Sequence, residues 1–439
     1  MNAAASDWIA SPGAPLRGTV DVPGDKSISH RAVMIASLAD GVSRIDGFLE
    51  GEDTRATAAA FARMGVRIES PSPGIRLVHG AGIDGLRAPD GPIDCGNAGT
   101  GMRLLAGLLA GQRFDSTLVG DASLSRRPMQ RVIEPLARMG ASIDARDGCP
   151  PLRIHGGRVL RGMDYTLPVA SAQVKSAILL AGLYAGGETH VREPHPTRDY
   201  TERMLAAFGW PVAFVPGEAA LLGGFRLQAT DVQVPADFSS AAFFIVAATL
   251  VRGSELRLRR VGMNPRRIGL LHVLRAMGAD IEECDPDEQG SEPVADLVVR
   301  HAPLHGIDVP REHVADMIDE FPALFVAAAC AEGGTTLRGA AELRVKESDR
   351  IATMATGLQA MGVEVEEAPD GARILGGRLR GGTIDSHGDH RVAMAFAVAA
   401  QVADGEVRIR DVANVATSFP GFESVAAAAG MAVASAPGA

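Results

Sequence analysis

Six times along the chain an apolar residue pattern at helical spacing runs into a glycine and then gives way to strand-like alternation. The six junctions are Met64-Gly65-Val66, Met139-Gly140-Ala141, Phe208-Gly209-Trp210, Met277-Gly278-Ala279, Met361-Gly362-Val363 and, more loosely, Ala429-Gly430-Met431. Residues 58–64 and 132–139 carry the helical period, and Val66-Arg67-Ile68 begins an alternation, so each glycine reads as a left-handed helix stop. The glycines stand 75, 69, 69, 84 and 68 residues apart, which makes the chain six copies of one unit of about 70 residues.

Upstream in every unit a polar cluster opens a second helix rich in Ala, Leu and Val. The openings are Lys26-Ser27-Ile28-Ser29, Asn97-Ala98-Gly99-Thr100, Ser171-Ala172-Gln173, Asp237-Phe238-Ser239-Ser240, Asp319-Glu320 and Asp389-His390-Arg391. Ser, Asn and Asp there would satisfy the unpaired N–H groups of a helix start, so capping alone accounts for their presence. Two helices flanked by short strands predict a βαβαββ order, and six copies predict an α/β architecture that is not doubly wound. The units divide three and three, with chain crossings near residues 22–24 and 232–235, so the expected domains are 24–234 and 1–23 plus 235–439. The isolated strand at 16–20 is expected to complete the second domain, and ligands are expected between the two halves.

Composition narrows the function classes. A chain of 439 residues with 46% hydrophobic and 22% charged residues is ordinary globular protein with ample core, not a disordered or disulfide-stapled one. Its 43 Lys plus Arg against 53 Asp plus Glu leave a net −10, which disfavours nucleic acid and anionic lipid as partners. Four scattered cysteines (Cys95, Cys149, Cys284 and Cys330) form no C-x-x-C pair, so neither disulfides nor zinc are expected and a cytoplasmic location is. Apolar runs such as 243–251 are about half of what a membrane span requires, and residues 1–17 lack the pattern of a secretion signal. Aromatic residues, at 4%, are too few for base-stacking platforms.

Charge placement points to chemistry. A helix N-terminus carries about half a positive charge and attracts acids, yet here bases collect at the helix starts. Lys26, Arg31, Arg103, Lys175 and Arg391 follow the first openings, and Arg55, Arg127, Arg198, Arg266-Arg267, Lys346 and Arg350 attend the second helices. Pairing with local acids such as Asp53, Asp199 or Asp349 explains any single case; ten coincidences are harder to dismiss. A cation beside a positive helix end is unfavourable by ~0.3–1 kcal/mol until an anion arrives. Charge-assisted hydrogen bonds contribute ~1.5–3 kcal/mol each, so five or six converging bases suit a ligand with two dianionic groups. In the fifth unit Met317-Ile318-Asp319-Glu320 puts acids where its siblings have bases, and Lys346 with Glu347 adds a lysine and a second carboxylate suited to proton transfer. Alone, the Asp-Glu pair reads as a cap. Asp237 with Ser239-Ser240, lacking a base, reads as structural capping.

Other motifs fail. Gly24-Asp25-Lys26-Ser27 lacks the glycine that a nucleotide phosphate loop needs in place of Asp25, and Cys95-Gly96-Asn97-Ala98-Gly99-Thr100-Gly101 misses dinucleotide spacing. His387, His390, His301 and His305 show no third ligand, so no metal and no cofactor are expected.

Taken together, Gly24-Asp25-Lys26-Ser27-Ile28-Ser29-His30-Arg31, Gly96-Asn97-Ala98-Gly99-Thr100-Gly101, Gly120-Asp121-Ala122-Ser123, Arg127-Pro128-Met129, Ser171-Ala172-Gln173, Leu343-Arg344-Val345-Lys346-Glu347-Ser348-Asp349-Arg350 and Asp389-His390-Arg391 closely resemble the 5-enolpyruvylshikimate-3-phosphate synthases. The likeness covers nearly the whole chain. It implies two domains of three βαβαββ repeats, an enolpyruvyltransferase-like inside-out barrel that closes on ligand. It also implies transfer of the enolpyruvyl group of phosphoenolpyruvate to the 5-hydroxyl of shikimate 3-phosphate with release of phosphate, without metal.

By motif position the resemblance implies that Lys26, Ser27, Arg31, Ser171, Ala172, Gln173, Arg198, Asp319 and Lys346 bind shikimate 3-phosphate. It gives Lys26, Gly99, Arg127, Gln173, Arg350 and Arg391 to phosphoenolpyruvate, and makes Asp319, Glu347, Lys346 and Lys26 catalytic. A monomer is expected. Thr417 stands where many members carry a lysine, and Ser171-Ala172-Gln173 replaces Ser-Ser-Gln, features of the branch that includes glyphosate-tolerant enzymes. Gly99 is the small residue of sensitive members, so glyphosate is expected to compete with phosphoenolpyruvate. Two rivals are a UDP-N-acetylglucosamine enolpyruvyltransferase, disfavoured because Ala122 stands where that family places a cysteine, and a non-catalytic anion-binding repeat protein, disfavoured by Asp319, Lys346 and Glu347 together.

Overall fold

The computed structural model describes residues 7–436; residues 1–6 and 437–439 of the expected second domain, and the start of the 1–17 segment, lie outside the described residues. All six junction glycines adopt left-handed backbone, with φ of 93° at Gly65, 104° at Gly140, 81° at Gly209, 104° at Gly278, 86° at Gly362 and 99° at Gly430. That conformation is strained for any residue with a Cβ, which is why glycine closes each helix and turns the chain into its strand.

The described chain separates into two compact units, Gly24–Val234 with Gln289–Glu292, and the remainder, each with its own hydrophobic core. A typical repeat sends one strand through an inner helix to a parallel partner, as Ile93–Asp94 to Ser116–Val119, Asp164–Thr166 to Glu188–Arg192 and Gly382–Asp385 to Val407–Arg410. Parallel strands require such a crossover. An outer helix and an antiparallel hairpin complete the unit, as Gln130–Arg138 followed by Ser142–Arg146 and Cys149–His155.

Three repeats are finished by strands remote in sequence. Leu227–Gln228 and Val232–Gln233 pair in parallel with Ala39–Asp46 of the first repeat. Arg17–Val20 pairs with Glu255–Gly262 of the fourth, as the reading of 16–20 anticipated. Trp8–Ser11 lies between Val407–Arg410 and Ala432–Ser435 of the sixth, with Trp8 stacked on Phe422 at 5.2 Å.

Inner helices are apolar nearly all round and accordingly buried, Phe238–Leu250 being the clearest case. In the 24–234 unit they pack backbone to backbone: a Cβ on Gly107 would lie 2.1 Å from the Ala177 carbonyl oxygen. Among the described residues no helix is long and apolar enough to cross a membrane.

Candidate active site

Within the 24–234 unit the starts of three inner helices meet. Asp25, rather than Ser27, caps the first, accepting from the Ile28 N–H at 2.8 Å. One turn on, Arg31 is buried and held by neutral oxygens: its Nε donates to Thr201 Oγ1 at 2.7 Å, Nη1 to the Ser27 carbonyl at 2.9 Å and Nη2 to Ser176 Oγ at 2.9 Å. Burial pushes Arg31 down to about 10, partly offset by the fields of Glu202 and Asp25. Lys26 pairs with Asp53 at 3.0 Å.

The second helix start has no side-chain cap, and Gly99 opens it. A Cβ at Gly99 would stand 3.0 Å from Arg127 Nη1 and 3.2 Å from Arg103 Nη1, so two guanidinium ends face bare backbone. Arg127 donates to Asn97 Oδ1 at 2.6 Å and Ser123 Oγ at 3.3 Å, while Arg103 donates to Gln173 Oε1 at 2.8 Å. Gln173 passes its own N–H to Thr100 Oγ1 at 2.8 Å, which fixes the amide, and Ser171 caps its helix through the Val174 N–H at 3.4 Å. Arg198 is half-buried and adds its positive field to that of Arg31.

The other unit assembles acids with bases. Asp319 lies 3.4 Å from Lys346 Nζ, 3.6 Å from Arg350 Nη1 and 4.0 Å from Arg267 Nη1, and its carbonyl accepts from Arg391 Nη1 at 3.1 Å. Arg350, 2% exposed, donates through Nε to Asp389 at 2.8 Å and through Nη2 to Glu347 at 2.6 Å. Burial opposes its charge, yet Asp389, Glu347 and Asp319 hold the guanidinium above its ordinary value. Nη1 of Arg350 is buried without a hydrogen-bond partner among the described residues. Asp389 also caps its helix through the N–H groups of Arg391 and Val392, at 2.9 and 3.4 Å.

The geometry sorts the expected bases. Lys175 does not join a ligand-facing set: it is buried between Glu193 and Glu202, 2.8 Å from each. Arg267 is buried beside Asp237 at 3.4 Å and Glu320 at 3.3 Å, so the fourth unit's opening has a base after all, brought by the turn that leads into its outer helix, Gly269–Ala276. Asp237 does cap, through the Ser239 N–H at 3.0 Å, but Ser239 hydrogen-bonds Glu320 and Arg267. Asp199 and Asp349 pair with Arg203 at 2.9 Å and Arg344 at 2.8 Å. Thr417 is buried, its hydroxyl given to the Asn414 carbonyl at 2.7 Å, and so brings no charge. Reading the sequence missed Ser176 and Thr201 as supports; hydroxyls next to Lys175 and Glu202, near the starts of their helices, were the available signal.

Six α/β repeats in two units, with charged groups gathered at inner-helix starts, define an enolpyruvyltransferase fold. The enolpyruvyl transferase NikO from Streptomyces tendae shares it with a TM-score of 0.79 at 18% identity, over 99% of this chain and 100% of that one. EPSP synthase from Acinetobacter baumannii superposes with a TM-score of 0.88 at 49% identity, over 98% and 100% of the two chains. The family described as EPSP synthase (3-phosphoshikimate 1-carboxyvinyltransferase) matches residues 10–425. Proteins of that name from Xanthomonas campestris pv. campestris (strain B100) and Xanthomonas oryzae pv. oryzae (strain PXO99A) are 67% and 68% identical over 438 and 431 residues, 100% and 98% of each chain. The chain belongs to the EPSP synthase family, transferases of the shikimate route to aromatic amino acids, and neither rival reading is favoured.

Proposed function

We propose that the chain moves the enolpyruvyl group of phosphoenolpyruvate onto the 5-hydroxyl of shikimate 3-phosphate and that the two units divide the work. Lys26, Ser27, Arg31, Ser171, Ala172, Gln173 and Arg198 hold shikimate 3-phosphate. Gly99, Arg127, Lys26 and Gln173 receive the phosphate side of phosphoenolpyruvate. Arg350, whose buried Nη1 makes no hydrogen bond and faces Asp319 at 3.6 Å, and Arg391 take its carboxylate, a planar anion suited to guanidinium edges.

In the forward step the 5-hydroxyl oxygen bonds to C2 of phosphoenolpyruvate and loses its proton, while the methylene carbon gains one. The tetrahedral adduct then gives up a methyl proton as the C–O bond to phosphate breaks. One base and one acid suffice. Asp319, with cations at 3.4, 3.6 and 4.0 Å stabilising its ionised form, serves as base toward the hydroxyl and also contacts shikimate 3-phosphate with Lys346. Glu347 and Lys346 serve the carbon, and Lys26 steadies the leaving phosphate.

The observation that carries this reading is Asp319 set among Lys346, Arg350 and Arg267 in a chain 67% identical to 3-phosphoshikimate 1-carboxyvinyltransferases. Phosphate release from phosphoenolpyruvate tests it. Release should require shikimate 3-phosphate and not occur with UDP-N-acetylglucosamine; the reverse pattern would sink the proposal. Lys26→Ala and Arg127→Ala should raise KM for phosphoenolpyruvate, whereas Asp319→Ala should chiefly lower kcat, by roughly 10²–10⁴. Glyphosate competes with phosphoenolpyruvate beside Gly99. The enzyme works as a monomer and in the cytoplasm, the location being a reading that four free cysteines support.

A further inference from the structure

Next to Arg31 and Arg198 lies a buried ion cluster for which the reaction has no direct use. Lys175 Nζ stands 2.8 Å from both Glu193 and Glu202, and the three side chains are 3%, 0% and 2% exposed. The cluster alternates with the supports of Arg31. Lys175 precedes Ser176 on the inner helix Ala172–Gly182, and Glu202 follows Thr201 on the outer helix Tyr200–Ala207. Ser176 and Thr201 accept from Arg31 and are joined to each other at 2.7 Å. The ion pair thus clamps two helices at the level where their hydroxyls grip Arg31.

Glu193 reaches further. Its carboxylate accepts from the Thr197 N–H at 3.2 Å and from the Thr197 hydroxyl, tying down the residue immediately before Arg198. Burying three charges is costly, and well-packed apolar side chains would hold two helices together at least as well. Retaining the charges makes sense where direction matters more than adhesion, since each hydrogen bond to a carboxylate fixes an angle as well as a distance.

We propose that Lys175, Glu193, Glu202 and Thr197 are positioning residues for shikimate 3-phosphate, setting Arg31 through Ser176 and Thr201 and Arg198 through Thr197. The proposal rests on the assignment of Arg31 and Arg198 to that substrate. In support, Glu202 acts on Arg31 electrostatically, partly offsetting what burial does to its charge.

Steady-state kinetics of the full chain test it. Thr197→Val keeps the side chain's shape and removes one hydroxyl; it should raise KM for shikimate 3-phosphate roughly three- to thirtyfold. KM for phosphoenolpyruvate and kcat should stay within about twofold, and Thr197→Ser should restore the parent KM. Glu193→Gln, which keeps the shape while removing charge, should follow Thr197→Val. In an Arg198→Ala background, Thr197→Val should add nothing, because both changes act on one contact.

Additive effects, a parallel loss in both substrates, or a normal KM in Thr197→Val and Glu193→Gln while Arg198→Ala is impaired would overturn the positioning role. An unimpaired Arg198→Ala would instead remove the assignment of Arg198 beneath it, and the proposal with it.

Discussion

Arg31 and Arg350 occupy comparable places, each within the first two turns of a helix at the centre of a cluster of charges, and each is buried. Their surroundings differ in kind. Arg31 donates to two hydroxyls and a carbonyl, and burial lowers its affinity for its proton. Arg350 donates to Asp389 and Glu347 and faces Asp319, and those carboxylates outweigh burial and raise it. Neutral acceptors orient a cation without cancelling its charge, which suits a surface that must attract dianionic substrates. Carboxylates cancel the charge but leave acids beside bases, which suits proton transfer. The presence of arginine at a helix start therefore says little by itself; the partner decides whether it attracts a ligand or balances an acid.

Removing each arginine should break the comparison if it is wrong, and stability gives the largest expected effect. Arg350→Met would leave Asp389, wholly buried, without its main countercharge, a situation that typically costs about 3–5 kcal/mol. Arg31→Met would leave hydroxyls that can bond each other, as Thr201 and Ser176 already do at 2.7 Å, and should cost less than about 2 kcal/mol. Urea unfolding of both variants measures the gap. Equal losses would mean that the two environments are alike in energy despite their chemistry.

How far the sequence could show this depended on locality. The glycine rhythm was legible because a helix stop is decided within a few residues, and all six proved left-handed. The strand at 16–20 was legible from its isolation. Leu227–Gln228 and Val232–Gln233, two residues each, carry too little pattern to betray a pairing with Ala39–Asp46, some 190 residues away. Likewise, nothing local tells that Trp8–Ser11 fills the middle of the last repeat's sheet. Bases were legible as bases but not by destination. Lys175 sits four residues from Ser171 like a ligand, yet its rotation about the helix axis turns it to Glu193 and Glu202, carboxylates contributed by other elements. Arg267 was missed as the partner of Asp237 for the same reason: thirty residues of chain separate them.

A smaller effect sharpens the neutral half. Gly99→Ala would place a methyl 3.0 and 3.2 Å from the ends of Arg127 and Arg103, tighter than ordinary contact, and flexible guanidinium ends can retreat by a few tenths of an ångström. Folding should hardly change. The displaced charge should raise KM for phosphoenolpyruvate about fivefold, equivalent to ~1 kcal/mol, and should abolish inhibition by the longer glyphosate. Unaltered KM and unaltered inhibition would show that Gly99 does not face the ligand.

A last effect, of similar size, reads the positive field of the 24–234 unit from inside. His30 is buried, its Nδ1 2.8 Å from Thr57 Oγ1, and burial first, then the charges of Lys26 and Arg31, push it well below its ordinary 6.5. The folded protein therefore leaves His30 neutral where the unfolded chain would protonate it, so acid favours unfolding: this contribution to stability is intact above about pH 6.5 and is lost progressively as pH falls from there toward the lowered value of the folded state. Relative to His30→Gln, the parent should lose up to about 1.5 kcal/mol between pH 6.5 and pH 5, followed by unfolding at each pH. Because Lys26 and Arg31 supply part of the depression, Lys26→Met should raise the affinity of His30 for its proton and flatten the parent's acid slope. A slope indifferent to Lys26 would leave burial and Arg31 as the causes and would show that Asp53, 3.0 Å from Lys26, cancels its charge at His30.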